Sequence, residues 1–267
     1  MPDKKNLSQA LRSNLLRRKE YSKNLKEKPQ DMKKIYEGKA KILFESENPN
    51  EIIQYFKDDA TAFNNQKKEV IQGKGALNNF ISEYIMKELT ANKIPNHFIK
   101  RIDERNQLVK KLEIFPLEVI IRNISAGSMA KRLGLEEGSV FSEPVFEICY
   151  KRDDLGDPLI NEDHAVEVLK VITRDQFSFI KEKSLQINSI LKGIFLKIDI
   201  KLVDFKIEFG FDKQGNIMLA DEISPDSCRL WDINTNERFD KDLFRHGLGD
   251  LVTGYSEIAN RLKVKLA

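Results

Sequence analysis

Cysteine is nearly absent from this chain, which has only Cys149 and Cys228 among its 267 residues. Two cysteines cannot build the disulfide framework of a small secreted domain, nor can they supply a cysteine-rich zinc site. Histidine is also scarce, and His97, His164 and His246 are scattered without the short spacing of metal ligands. We therefore expect a protein of a reducing compartment and interpret the three histidines as ordinary core or surface residues.

Long hydrophobic runs and a surplus of one charge are absent as well. No apolar run approaches the ~20 residues that a helix needs to span a bilayer. The 45 basic and 42 acidic residues nearly balance, so the overall charge gives no reason to expect a nucleic-acid partner. These features together predict a cytoplasmic protein with neither a membrane nor a nucleic-acid partner.

The charge balance fails only in residues 1–30, which carry nine lysine and arginine residues against three acidic ones. Leu7, Leu11, Leu15 and Leu16 could give this segment the apolar stripe of an amphipathic helix. The pattern fits a membrane-surface, partner-binding or targeting helix, and it also fits a solvated basic extension. We favour the solvated extension and treat residues 1–30 as a separate segment.

Short strands dominate the chain beyond this extension. Alternating apolar residues and turn signals predict strands within 33–46, 51–63 and 108–123. The last of these is interrupted at Pro116, because proline cannot donate a hydrogen bond to a sheet. We expect residues 31–115 to form a sheet-rich lobe.

Helical patterns interrupt and follow these strands. Apolar residues recur at helical spacing in 77–89, and a long helix is predicted to begin at Thr173, where Gln176 completes a capping box. A terminal helix is predicted over 240–262. The fold class we predict is therefore α+β, with the sheet-rich lobe set against a mixed α/β lobe of residues 116–267 across a cleft.

Residues 203–220 are typical of a β-hairpin that brings two carboxylates together. With Gln214 and Gly215 at the centre of the turn, Glu208 is expected directly opposite Asp221. Like charges opposed in this way repel by a few tenths to about 1 kcal/mol. Either a cation such as Mg²⁺ compensates the repulsion, or the register slips by a residue or both groups face water.

Two segments carry cations in patterns that suit phosphate. Lys39 and Lys41 would share one face of a strand, as a phosphate clamp or as a solvated face. A strand that delivers Arg122 is followed by Gly127 and Ser128 at the start of a short helix, which suits an anion as well as an ordinary capped helix. The sequence has no G-x-x-x-x-G-K-[ST] phosphate loop.

Several further charged residues could belong to a functional site only if the fold brings them to it. Lys151 and Asp157 stand in the polar loop "CYKRDDLGDPLINEDH", which would matter only if it lined the cleft. Arg229 follows the second hairpin strand closely. Lys241 and Arg245 stand four residues apart, a spacing that presents two cations on one helix face.

The chain resembles the SAICAR synthetase (phosphoribosylaminoimidazole-succinocarboxamide synthase) family in five motifs that occur in order: "EGKAK", "VIIRNISAGSMAKRLG", "DPLINEDH", "LVDFKIEFG" and "DEISPDSCRLWD". The resemblance runs from about Lys34 to the C-terminus and does not cover residues 1–30. It implies an ATP-dependent ligase of de novo purine synthesis, which joins L-aspartate to the carboxylate of carboxyaminoimidazole ribonucleotide through an acyl phosphate. It also implies a kinase-like ATP cleft, with an antiparallel-sheet N-lobe over the C-lobe.

The resemblance implies a role for each candidate residue. The Mg²⁺-binding acids would be Glu208 and Asp221, and the catalytic residues beside the imidazole substrate would be Lys206 and Asp157. ATP would bind at Lys39, Lys41, Lys111, Leu112 and Lys151. The ribonucleotide would bind at Arg122, Ser128, Arg229, Lys241 and Arg245.

Some functional questions stay open on the sequence. The partners are expected to be the small-molecule substrates alone, with a homo-oligomer neither required nor excluded. A small-molecule kinase on the same scaffold would keep the acids and lysines but leave a stable phosphoester. A nucleotide-responsive binding protein would instead use its basic extension to engage anionic membrane or RNA.

Overall fold

Five antiparallel strands form the first sheet of the protein. The computed structural model describes residues 32–62 and 67–265, so the expected basic extension of residues 1–30 lies outside the described residues. In the order in which they pair, the strands of the first sheet are β1 (Lys34–Glu37), β2 (Lys41–Glu45), β3 (Glu51–Phe56), β7 (Asn106–Lys110) and β6 (Phe98–Arg101).

A small hairpin and a long helix lie between β3 and β6 in the chain. The hairpin consists of β4 (Asp59–Ala62) and β5 (Lys67–Val70), and the helix, α1 (Lys74–Ala91), confirms the helical pattern in 77–89. Asp58 accepts hydrogen bonds from the Gly75 N–H at 2.9 Å and from Arg105 Nη2 at 2.6 Å. One carboxylate thus satisfies a free N–H of the first helical turn and holds α1 against the sheet.

A buried ion pair also fixes the start of α1. Lys74, which is 1% exposed, places Nζ 2.5 Å from Asp226 Oδ2, and the Tyr255 hydroxyl donates to Asp226 Oδ1 at 2.6 Å. Breaking such a pair leaves an uncompensated buried charge, which costs about 3–5 kcal/mol. The contact therefore ties the first helix to two segments more than 150 residues further along the chain.

The second sheet is built around one long central strand, β12 (Ile200–Phe211), which is buried on both faces along most of its length. All pairings between the strands of this sheet are antiparallel. Pro116 separates β8 from β9, as predicted. The other strands of this sheet are β8 (Glu113–Ile114), β9 (Leu117–Ile124), β10 (Val140–Tyr150), β11 (Leu159–Ile160), β13 (Ile217–Ala220) and β14 (Cys228–Asp232).

The helices that follow residue 116 agree with those predicted from the sequence, except at the C-terminus. Helix α2 (Gly127–Leu133) follows β9, and α3 (Arg174–Leu196) opens with the predicted capping box of Thr173 and Gln176. The single terminal helix predicted over 240–262 is wrong. The structure has α4 (Asp242–His246) and α5 (Leu251–Arg261), because Gly247 adopts a left-handed conformation with φ of 63° and ends α4.

One large apolar core joins α1, α3, α4 and α5 with the second sheet, and Ile124, Ala126, Val203 and Trp231 form a separate, smaller cluster. Helix α3 buries Phe177, Ile180, Ile187, Leu191 and Ile194, the stripe that its spacing predicts, against β9 and β12. Helix α1 packs on α5 in the same core.

The α+β class is confirmed, while a lobe boundary at residues 115 and 116 stays a prediction. No helix within 32–62 or 67–265 is long and apolar enough to cross a membrane.

Gly75 offers a test of the close contact between α1 and β3. A Cβ at this position would collide with the carbonyl oxygen of Phe56 and lie 2.8 Å from that of Lys57. We expect Gly75→Ala to lower the free energy of unfolding by roughly 1–3 kcal/mol, the usual cost of overpacking. Urea denaturation would measure it.

Gly193 supplies the matched control, because it also lies in a helix but has open space around it. A Cβ added at Gly193 would meet no atom of the other described elements within 4 Å. Gly193→Ala should raise the free energy of unfolding by roughly 0.5–1 kcal/mol, since alanine loses less backbone entropy in a helix. Equal effects of the two substitutions would contradict the close contact at Gly75.

Candidate active site

The hairpin of β12 and β13 carries the two predicted metal acids, but in a different register from the predicted one. Glu208 pairs with Ala220, not with Asp221, so the predicted register is wrong by one residue. The reason lies in the turn, where the Asp212 carboxylate accepts the N–H groups of Gln214 and Asn216, both at 2.9 Å. This capped loop replaces the two-residue turn that the sequence suggested.

Asp221 compensates for the shifted register by leaving the strand conformation. Its φ is 60°, in the left-handed region that costs an L-residue roughly 1–2 kcal/mol. The chain therefore turns at Asp221, and the carboxylate comes to lie beside Glu208. Lys206 Nζ is 3.0 Å from Glu208 Oε1 and 3.0 Å from Asp221 Oδ2.

Lys206 is thus the cation between the two acids. Burial by itself would lower the pKa of Lys206, but Glu208 and Glu118 outweigh burial and raise it. Burial likewise would raise the pKa of Glu208, but Lys206 and Lys151 lower it to about 2. Both groups are therefore charged at pH 7 while they pair, and Lys206 is an ammonium group in this arrangement.

Two more lysines complete this group of charges. Lys41, on β2, contacts the carboxylates of Asp221 and Glu222, the latter at 3.1 Å. Lys151, just after β10, lies 2.6 Å from Glu208 Oε2. We call the whole group the acid–lysine cluster; its members are Lys41, Lys151, Lys206, Glu208, Asp221 and Glu222.

The donor set of the acid–lysine cluster fits Mg²⁺. Carboxylate oxygens are the ligands this ion prefers, and one or two carboxylates with nucleotide phosphates usually suffice. Glu208 and Asp221 already place one oxygen each at equal distance from a single cation, Lys206 Nζ. Within 32–62 and 67–265, no three His, Cys, Asp or Glu side chains form a metal-binding group, so the protein would provide only this pair.

Lys39 lies near Asp157 and near Glu118, which is in turn 3.5 Å from Lys206 Nζ of the acid–lysine cluster. Lys39 stands in the bend between β1 and β2, so the prediction that it shares a strand face with Lys41 is wrong. Its Nζ instead pairs with Asp153 at 2.7 Å. In the described part of the chain, the buried Asp157 Oδ1 has no hydrogen-bond partner, which leaves an acceptor for a ligand.

The segment that carries Lys111 and Leu112 connects the two sheets. The Lys111 N–H donates to the carbonyl oxygen of Asn50 at 2.8 Å, and β8 then pairs with the end of β12. A Cβ on Gly210 would lie 2.6 Å from the Glu113 carbonyl oxygen and 3.0 Å from Leu112 Cβ. The strand that carries Lys206 and Glu208 therefore touches the predicted adenine segment because residue 210 is glycine.

A second group of charges gathers three of the predicted ribonucleotide-binding residues. Asp204 Oδ2 lies 2.8 Å from both Arg122 Nη1 and Arg229 Nη1. Asp242 lies 2.9 Å from Arg229 Nε and 2.7 Å from Arg245 Nη1. We call these five residues the arginine cluster.

The arginines of this cluster differ in how much of them a ligand could reach. Arg122 is 3% exposed and also pairs with Glu147 at 2.6 Å through Nε. Burial by itself would lower the pKa of Arg229, but Asp204 and Asp242 raise it, so the guanidinium remains charged. Its side chain is 16% exposed, against 4% for that of Arg122, which makes Arg229 the more accessible anion ligand.

Ser128 and Lys241 adjoin the arginine cluster from two sides. Gly127, at the start of α2 with φ of 55°, leaves no room for a Cβ, which would lie 2.8 Å from Arg229 Cζ. Ser128 follows it. Lys241 precedes α4; burial lowers its pKa, and Lys74 and Arg245 lower it further against the opposing effect of Asp226. Lys241 and Arg245 lie one helical turn apart, as their spacing predicts, because the Arg245 N–H donates to the Lys241 carbonyl oxygen at 3.0 Å; Arg245 also binds Asp242.

Several residues of the site were not predicted to have a role there. Glu222, Asp204 and Asp242 are the counter-ions that hold the cations. Asp204 and Glu222 stand in two of the five family motifs, but their spacing along the chain does not indicate a role as counter-ions. His97 is buried, as expected of a core residue, but its Nε2 also lies 2.9 Å from the Asp221 carbonyl oxygen. Burial and the nearby Lys41 lower the pKa of His97 to about 3, so the imidazole is neutral at pH 7.

Known proteins resemble this chain in sequence and in fold over most of its length. A family model described as SAICAR synthetase matches residues 34–262. The phosphoribosylaminoimidazole-succinocarboxamide synthase of Finegoldia magna is 55% identical over 232 residues, which cover 87% of this chain and 100% of that protein.

Solved structures agree with the sequence relatives. The crystal structure of phosphoribosylaminoimidazole-succinocarboxamide synthase from Ehrlichia chaffeensis superposes with a TM-score of 0.86 at 50% identity, covering 88% of this chain and 100% of that one. A SAICAR synthetase in complex with ADP gives a TM-score of 0.84 at 47% identity, covering 87% of this chain and 98% of the other. The chain therefore belongs to the SAICAR synthetase family.

Proposed function

We propose that this protein uses ATP to join L-aspartate to the carboxylate of carboxyaminoimidazole ribonucleotide, giving SAICAR, ADP and phosphate in de novo purine biosynthesis. The observation that carries the proposal is the arrangement of Asp204, Lys206 and Glu208 at alternate positions of β12. This strand joins the arginine cluster to the acid–lysine cluster. Strand β12 therefore supports both the arginine cluster, proposed to bind the ribonucleotide phosphate, and the acid–lysine cluster, proposed to bind the nucleotide.

The distance between the clusters suits a substrate with anionic groups at both ends. A strand rises about 3.4 Å per residue, so Asp204 and Glu208 lie roughly 14 Å apart along β12. The ribonucleotide carries a 5′-phosphate at one end and a carboxylate on its imidazole at the other. We assign the phosphate to Arg229, Ser128 and Arg122, with Lys241 and Arg245 nearby, and the carboxylate to the acid–lysine end.

The acid–lysine cluster suits the activation of that carboxylate. A carboxylate is a poor acyl donor, because its oxygen leaves as a strongly basic anion, so ATP must first convert it to an acyl phosphate. Phosphoryl transfer requires positioning and neutralisation of charge more than a nucleophilic side chain. We assign Lys39, Lys41 and Lys151 to the ATP phosphates, and the Lys111–Leu112 segment to the adenine.

Lys206 and Asp157 are assigned to the imidazole substrate. Because Lys206 remains an ammonium group, its role is to stabilise negative charge on the reacting carboxylate rather than to accept a proton. Asp157 Oδ1, whose partner is missing within the described ranges, can accept an N–H of the substrate. Asp157 then fixes the imidazole while aspartate attacks.

Glu208 and Asp221 are proposed to hold Mg²⁺, which when bound would neutralise phosphate charge and align the nucleotide. Cytoplasmic localisation, a homo-oligomer and the lack of membrane and nucleic-acid partners stay predictions.

Phosphate release from ATP tests the reaction as a whole. With Mg²⁺ present, release should require both carboxyaminoimidazole ribonucleotide and L-aspartate, and the product should be a succinocarboxamide. Omitting aspartate should leave at most the slow hydrolysis of an acyl phosphate. Folded protein that accumulates a stable phosphoester instead would be a kinase, and the proposal would fail.

Asp221→Asn tests the metal assignment. An amide is a weaker ligand than a carboxylate, so we expect a loss of turnover larger than the ~10–100-fold cost of removing an outer-shell partner. The measurement is the Mg²⁺ dependence of the rate. Asp175→Asn, an exposed aspartate on α3, is the matched control and should retain full activity. Wild-type kinetics in Asp221→Asn would refute the assignment.

Arg229→Ala tests the phosphate assignment. Losing a charge-assisted hydrogen bond of about 1.5–3 kcal/mol should raise the KM for the ribonucleotide roughly 10–150-fold, with little change in the KM for ATP. The substitution also strips a partner from two buried aspartates, so Arg229→Lys, which keeps the charge, serves as the folded comparison. A change confined to the KM for ATP would show that Arg229 belongs to the ATP site and not to the ribonucleotide site.

A further inference from the structure

We propose that His97 is a positioning residue that holds Asp221 in its left-handed conformation and couples it to the adenine segment. The inference rests on the function proposed above, because it concerns how a proposed metal ligand is kept in place. It assigns a role to a residue that is 4% exposed and stands far from both acids in the sequence.

Three hydrogen bonds place His97 between the two regions. Its carbonyl oxygen accepts the Lys110 N–H at 2.8 Å, at the end of β7 and directly before the Lys111–Leu112 segment. Its own N–H donates to the Leu219 carbonyl oxygen at 2.9 Å, on β13. Its side chain then reaches the Asp221 carbonyl oxygen at 2.9 Å.

The direction of the side-chain hydrogen bond follows from its partner. A backbone carbonyl oxygen can only accept, so His97 Nε2 carries the hydrogen and donates it. The acceptor is the carbonyl of a residue that departs from the extended strand at φ of 60°. A donor fixed by the two backbone bonds of His97 thus orients the peptide group that follows Asp221.

The consequence concerns both carboxylates that follow β13. The peptide group held by His97 joins Asp221 to Glu222, and these two side chains contact Lys41. Without the donor, the left-handed turn would lose one of its supports and the Asp221 carboxylate would no longer be directed towards Glu208. The adenine segment and the metal acid would then be independent of one another.

Calorimetric binding of ADP, measured with Mg²⁺ and with EDTA, tests this coupling without turnover. The ratio of the two dissociation constants reports how much Mg²⁺ strengthens ADP binding. In His97→Leu we expect that ratio to fall about tenfold, which corresponds to about 1.4 kcal/mol, while ADP binding in EDTA is unchanged. His97→Gln, whose amide nitrogen can replace Nε2 as a donor, should restore the wild-type ratio.

The controls separate positioning from general damage. His164→Leu, at an exposed histidine, should leave the ratio unchanged. Should His97→Leu not fold, His97→Asn replaces it, because its shorter amide puts a donor near the Nδ1 position and cannot reach Asp221.

Three results would overturn the role of His97: an unchanged ratio in His97→Leu, equal loss in the leucine and glutamine variants, or weaker ADP binding in EDTA to the same extent as with Mg²⁺. A wild-type protein that fails to bind ADP under either condition would instead contradict the proposed function. The two failures are therefore distinguishable.

Discussion

The contact on which the site depends is that of the Lys206 ammonium group with two carboxylates, those of Glu208 and Asp221. Acids brought together in a buried space repel one another. Lys41, Lys151 and Lys206 pair with these acids, and Lys206 and Lys151 lower the pKa of Glu208 although the residue is buried. We assign Lys41 and Lys151 to the nucleotide phosphates and Lys206 to the imidazole substrate. In the proposed reaction, pairing with the acids would keep these charges compensated until the substrates bind.

The central strand β12 turns these local contacts into one site. It passes between β9, which carries Arg122, and the strands β13 and β14, which lead to Asp221 and carry Arg229. Arginines therefore lie at one end of β12, and acids paired with lysines lie at the other. Gly210 lets the segment between the sheets approach the same strand. The proposed nucleotide, metal and phosphate positions are thus arranged around one strand that is buried on both faces.

Local patterns predicted much of the fold, and failures occurred where a more distant contact decided the geometry. The capping box at Thr173, the interruption at Pro116 and the buried stripe of α3 were correct, because each depends on residues a few positions apart. The hairpin register failed because Asp212 caps a longer loop. The terminal helix failed at Gly247, where a left-handed residue ends α4.

The sequence by itself determined the family and the candidate residues: the motifs placed acids, lysines and arginines on identifiable elements. Only the tertiary structure decided which charges meet. Lys41 reaches Asp221 across 180 residues, and His97 reaches it across 124. Arg229 needs two aspartates, one on β12 and the other on α4, before its place is defined. Side-chain hydrogen bonds and ion pairs depend on distances in space, and no spacing along the chain encodes a partner that the folding of two sheets brings near.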